Sequence, residues 1–140
     1  MTPNRLNLVT LGVTDLAASK AFYEALGLVA EDAPPSVVFF PMGGFKLGLF
    51  GLDTLAQELG RPVSELGRGA VTLSVNWPSE ADVDAAFEAA IAVGARAVSR
   101  PTKMEWGGYS SHWADRDGHL WEYAFNPVWP LDSDGWISDA

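Results

Sequence analysis

The six residues LVTLGV at positions 8–13 return as AVTLSV at 70–75, and each copy precedes a helical apolar stripe. A repeat of this kind, spaced by roughly half the chain, means that one supersecondary unit is used twice. Each opening segment alternates in the two-residue period of a strand. Val9, Leu11 and Val13 fall on one face, with Leu8, Thr10 and Gly12 on the other. The second copy divides in the same way, into Val71, Leu73 and Val75 against Ala70, Thr72 and Ser74.

The helix after each opening strand is duplicated too. Thr14 or Asp15 can cap a helix reaching about Leu26, where Gly27 stops it. Ser79 with Asp82 forms a capping box for a second helix, whose stripe of Val83, Phe87, Ala90 and Ile91 ends at Gly94. After the first helix, the Ala33-Pro34-Pro35 loop leads into SVVFFP and FKLGLFG, two strands joined at Met42-Gly43-Gly44. After the second come a short strand near 95–99, then YSSHWA, the turn Asp115-Arg116-Asp117-Gly118, and HLWEYAF. Each half is thus expected to run strand, helix, strand, strand, strand. The boundaries read as module one over about 5–52, a connector with two helical patches over 53–67, module two over 68–127 starting at Arg68, and an aromatic tail over 128–140. The 140 residues fit one domain of α+β class.

Bulk properties exclude several function classes. With no cysteine there are no disulfides, thiolate ligands or cysteine nucleophiles. A net charge of −9, with nine scattered Lys and Arg, argues against nucleic acid and would favour a cationic ligand. No run approaches the ~18 apolar residues of a membrane span, and the amino terminus lacks the pattern of a signal peptide, so a cytoplasmic location is expected. No Ser/His/Asp order, phosphate-cradling glycine loop or dinucleotide fingerprint stands out.

The segments TDLAASKAFYEALGL and DRDGHLWEY, in order around an internal repeat, resemble the vicinal-oxygen-chelate superfamily, the glyoxalase/bleomycin-resistance/dioxygenase group, over about residues 5–127. The resemblance implies paired βαβββ modules forming a curled mixed sheet around a cup-shaped pocket. It also implies a divalent-metal site at four positions, here Leu8, Gly48, Ala70 and Glu122. Only Glu122 can ligate, and catalytic sites usually need three protein ligands, so no metal or other cofactor is expected.

Glu122 is therefore the candidate acid or base. With Leu8, Thr10, Lys46, Ala70 and Thr72 it is expected to line the cup, Lys46 being its presumed partner by pseudo-symmetry. A plain four-residue turn pairing Ala114 with His119 would put Tyr109, Ser111 and Trp113 beside Glu122, and His112 and His119 on the helix side. A bulge there would reverse one face, the one arrangement that leaves room for a relocated divalent-metal site built on Glu122 and the histidines. Trp106, on the pliable Gly107-Gly108 loop, would add an aromatic at the rim. The expected partner is a small molecule, cationic or aromatic. A homodimer is expected as well, with the tail packing on its own domain or on a second copy.

Overall fold

The computed structural model describes residues 2–67 and 69–138, so Arg68 lies outside the described residues. The chain divides into two compact units, Met1–Gly67 and Arg68–Ala140, and the division falls at the end of the connector. Both units are α+β.

In the first unit, β1 (Leu8–Val13) runs parallel to β3 (Lys46–Gly51), and β2 (Val37–Pro41) pairs antiparallel on β3's other side. Between β1 and β2 lies α1 (Leu16–Ala25), capped by Asp15, whose carboxylate accepts from the Ala18 N–H at 3.0 Å. Its buried Phe22 and Tyr23 pack on the face that holds Leu11, Val13, Val38, Phe40, Leu47 and Leu49, all of them buried. The Tyr23 and Phe40 rings lie 6.1 Å apart. The alternation that sorted Leu11 and Val13 from Thr10 and Gly12 is therefore realised as a helix-covered face and its opposite.

Two features depart from expectation. The first unit has three strands rather than four. The stretch before Pro34-Pro35 makes one sheet-like bond, Glu31 N–H to the Phe39 carbonyl at 2.9 Å, because the two prolines cannot extend a ladder. The connector's two helical patches form as expected, as α2 (Leu52–Leu59) directly after β3 and a short 3₁₀ turn over Val63–Glu65, but α2 also packs on the sheet. The Leu52 and Leu55 side chains lie over Gly12, where an added Cβ would come within 2.7 Å of Leu52 Cδ2. Part of the face expected to stay open is thus covered by its own unit.

The second unit realises the full pattern. β4 (Thr72–Asn76), α3 (Glu80–Ala92), β5 (Arg96–Lys103), β6 (Tyr109–Ala114) and β7 (Leu120–Phe125) form a sheet in the order β4-β7-β6-β5, with β4 parallel to β7. β4 is shorter than the expected 68–77 segment, and Ala70 precedes it, exposed. The capping box forms as expected, with the Asp82 N–H donating to Ser79 Oγ at 3.1 Å. Val83, Phe87 and Ala90 of α3 are fully buried. Under them, Trp113 stacks on Trp121 at 5.5 Å and meets Tyr123 edge-on. At the margin, Glu80, Asp84 and Glu88, one helical turn apart, reach Lys103, Tyr109 and Arg100.

The tail closes into a small hairpin through a Leu131–Ile137 bridge, with Asp132 Oδ1 accepting from the N–H groups of Asp134 and Trp136. Val128, Trp129, Trp136 and Ile137 remain exposed on it.

Because Phe87 carries α3's contact with the sheet, Phe87→Ala should destabilise the chain by about 3–5 kcal/mol, and Ser79→Ala by about 1 kcal/mol through the lost cap. Urea unfolding followed by circular dichroism measures both, and near-equal effects would contradict this division of roles.

Candidate functional site

The site is set by one turn. Asp115 Oδ1 accepts from the N–H groups of Asp117 and His119, the Gly118 N–H bonds the Asp115 carbonyl, and Asp115 N–H bonds the His119 carbonyl. Gly118 takes φ 84°, the left-handed position that completes a three-residue hairpin loop. Ala114 therefore pairs with Leu120 rather than with His119. One residue of shift exchanges the two faces of β6.

The expected neighbours of Glu122 are corrected accordingly. Tyr109, Ser111 and Trp113 lie on the helix side. Ser111 and Trp113 are fully buried, Ser111 Oγ donates to the Tyr123 carbonyl, and the Tyr109 hydroxyl donates to Asp84 on α3. His112 and Ser110 take their place beside Glu122, while His119 closes the turn.

The pairings of all four strands place Ser99, His112, Glu122 and Ser74 in one transverse row, from β5 through β6 and β7 to β4. The row is linked side chain to side chain. Ser99 Oγ lies 2.8 Å from His112 Nδ1, His112 Nε2 lies 3.7 Å from Glu122 Oε2, and Ser74 Oγ donates to Glu122 Oε1 at 2.8 Å. Ser110, one step off the row, donates to Oε2 at 2.7 Å. The carboxylate is thus held by two hydroxyls, and its side chain keeps 29% exposure. Its remaining lone pairs can accept from a ligand. Thr72 shares this face, two residues before Ser74.

In the first unit, Lys46 bonds Glu31 at 2.8 Å and lies over the Phe39 ring, so the partner expected for Glu122 is engaged within its own unit. Leu8 reaches toward Gly48, where an added Cβ would sit 3.3 Å from its Cδ1, and Thr10 pairs with Gly48 across the ladder. Trp106 is exposed in the β5–β6 loop, its indole folded onto Gly108 so closely that any Cβ there would clash with the ring. A groove of about 490 Å³ in the first unit, between α1, the 30–35 loop and β2, has Lys20, Glu31 and Asp32 on its walls. None of the expected ligand-facing residues lines it, and the polar row carries the chemistry better than its volume does.

The family's four metal positions do not fit an ion. Leu8 and Gly48 do meet, but as alkyl group and bare backbone, and Ala70 is an exposed methyl outside β4. Among the described residues no three His, Asp or Glu side chains are grouped to hold one.

A model of the Glyoxalase/Bleomycin resistance protein/Dioxygenase superfamily matches residues 5–123. The chain belongs to this superfamily. It is similar to a glyoxalase-related enzyme from Fulvimarina pelagi, with 34% identity over 99% of each chain and a TM-score of 0.88. A lactoylglutathione lyase from Agrobacterium tumefaciens is 25% identical, with 94% of this chain and 100% of that one covered and a TM-score of 0.71. A glyoxalase/bleomycin resistance protein/dioxygenase family enzyme from Burkholderia phytofirmans shares the fold at 18% identity, over 85% and 96% of the two chains, with a TM-score of 0.76. No curated protein sequence matches. No helix among the described residues is long and apolar enough to cross a membrane.

On the covered side of the sheet, burial pushes the Tyr123 phenol up from 10.0 to about 12, and the Tyr109 phenol is raised by its hydrogen bond to Asp84 and by burial. The neutral phenol is favoured in the folded chain, so stability is complete below pH 10 and falls as pH climbs from about 10 toward about 12. Urea midpoints measured across this range should drop for the native chain and drop less for Tyr123→Phe; parallel curves would contradict the assignment.

Proposed function

We propose that this member of the superfamily binds a small protic or cationic molecule without a metal, with Glu122 as its anchor. The observation that carries the reading is the Glu122 carboxylate, held in place by Ser74 and Ser110 yet accessible on a polar strand face. A hydrogen bond to such a charged acceptor contributes more than one between neutral groups. The net charge of −9 favours a cation, and Thr72 adds a hydroxyl on the same face. Exposed Trp106 is the aromatic surface that fits this role, since Tyr109 and Trp113 belong to the helix side. Ala70, exposed just before β4 in the same unit, is proposed as apolar surface for the same ligand. Cytoplasmic location and assembly as a homodimer belong to the proposal too, the latter supported by exposed Val128, Trp129, Trp136 and Ile137 on the tail hairpin.

A second reading is a lyase, isomerase or dioxygenase-type enzyme in which Glu122 moves a proton. His112, 3.7 Å away, favours it, as a second titratable group beside the first.

Tryptophan fluorescence titrated with a panel of cationic aromatic amines should saturate for at least one compound. Adding a chelator should leave the curve unchanged, and Glu122→Gln should weaken binding roughly 10- to 100-fold. A stoichiometric metal in protein purified without chelator, or a flat response across the panel, would count against the binder.

A further inference from the structure

The row on the second sheet contains a feature that ligand binding by Glu122 does not require. Ser99, His112 and Glu122 stand in the order hydroxyl, imidazole, carboxylate, on three adjacent strands. The sequence conceals this order, because Ser99 and His112 stand thirteen positions apart and only the strand register brings them together.

The imidazole's orientation favours one role for each nitrogen. Nε2 faces Glu122 Oε2 at 3.7 Å, too long for a good hydrogen bond but within ion-pair range. A lone pair on Nε2 would point at a carboxylate oxygen, whereas an N–H there is attracted to it. The proton of the neutral ring therefore sits on Nε2, and Nδ1 is left as the acceptor. Its partner at 2.8 Å is Ser99 Oγ, which then donates. Glu122 is in turn fixed by Ser74 and Ser110, so the group that orients the base is itself oriented.

Ser99 is also placed where a reagent can reach it. β5 is the edge strand of its sheet, and Ser99 lies between two register slips, one after Ala97 and one before Thr102. Bulges of this kind twist an edge strand and re-aim its side chains. The residue is exposed, while His112 and Glu122 are about one-third exposed.

We propose that Ser99 is an activated nucleophile, with His112 as its general base and Glu122 as the positioning carboxylate, and that it takes acyl groups from small activated esters. In the step, Ser99 Oγ forms a bond to the ester carbonyl carbon as its proton passes to His112 Nδ1. The bond from that carbon to the aryl oxygen of the ester breaks, and the aryloxide leaves with the proton from Nδ1, which returns His112 to its neutral form. The products are an O-acyl serine and a phenol, with no change of oxidation state. Glu122 stabilises the transient imidazolium across the 3.7 Å gap. The acyl transfer requires neither the ligand proposed for Glu122 nor any metal, although both roles use the Glu122 carboxylate, and only the acyl transfer uses Ser99.

The test uses the full chain and p-nitrophenyl acetate, with intact mass and peptide mapping after short incubation. One acetyl group is expected on Ser99, released with a matching burst of p-nitrophenolate. Ser99→Ala should remove that adduct, and His112→Gln should slow its formation by about 100-fold or more. Glu122→Gln, which keeps the side chain's shape, should slow it by a smaller factor, and thermal melts of each variant report folding. Acetylation confined to lysines and the terminal amine would overturn the proposal. So would acetylation of Ser99 at an unchanged rate in a folded His112→Gln or Glu122→Gln variant.

Discussion

A strand has two faces and one register, and in the second unit a single left-handed glycine decides between them. With Gly118 at φ 84°, the loop from Asp115 to His119 is one residue tighter than a plain four-residue connection. That residue moves the large aromatic side chains of β6 under α3 and moves Ser110 and His112 next to Glu122. The energetic direction is clear. Trp113 is fully buried between Trp121 and Tyr123, an arrangement that would be lost if it exchanged sides with His112. The core therefore favours the same register that the turn selects, and the register assembles the polar row.

The parts of the fold legible in the sequence were those governed by local pattern. Strand alternation in LVTLGV, the Asp15 and Ser79 caps and the helix stops depend on neighbours within a few residues, and each is found where the pattern placed it. The site was only partly legible. Glu122 sits on an accessible strand face, but its neighbours depend on one residue of hairpin register, and a plain four-residue turn inverts them. The signal was present in Asp115-Arg116-Asp117-Gly118, since an aspartate opening a type I turn and a glycine at its left-handed end specify a three-residue loop. The Leu52 and Leu55 contacts over Gly12 and the Glu31–Lys46 ion pair join segments that no local pattern links, and these needed coordinates.

The two units began from one pattern and use it differently. The second keeps four strands and fills one face with hydroxyls, an imidazole and a carboxylate. The first has three strands and a proline-containing loop, with α2 over part of its matching face, and it presents Leu8 and Gly48 at the positions where the superfamily resemblance implies metal ligands. Superfamily membership thus fixes the architecture, while the chemistry rests on the residues of one unit.

The outer strand of the second sheet has a further consequence. β5 carries Arg96, Arg100 and Lys103, a proline at position 101 and two register slips in eight residues. Charge, a missing amide hydrogen and irregular spacing each spoil a strand as a template for pairing with a stranger. The margin that holds Ser99 is thereby protected from sheet extension and aggregation, so its side chains can stay wet and accessible at high protein concentration.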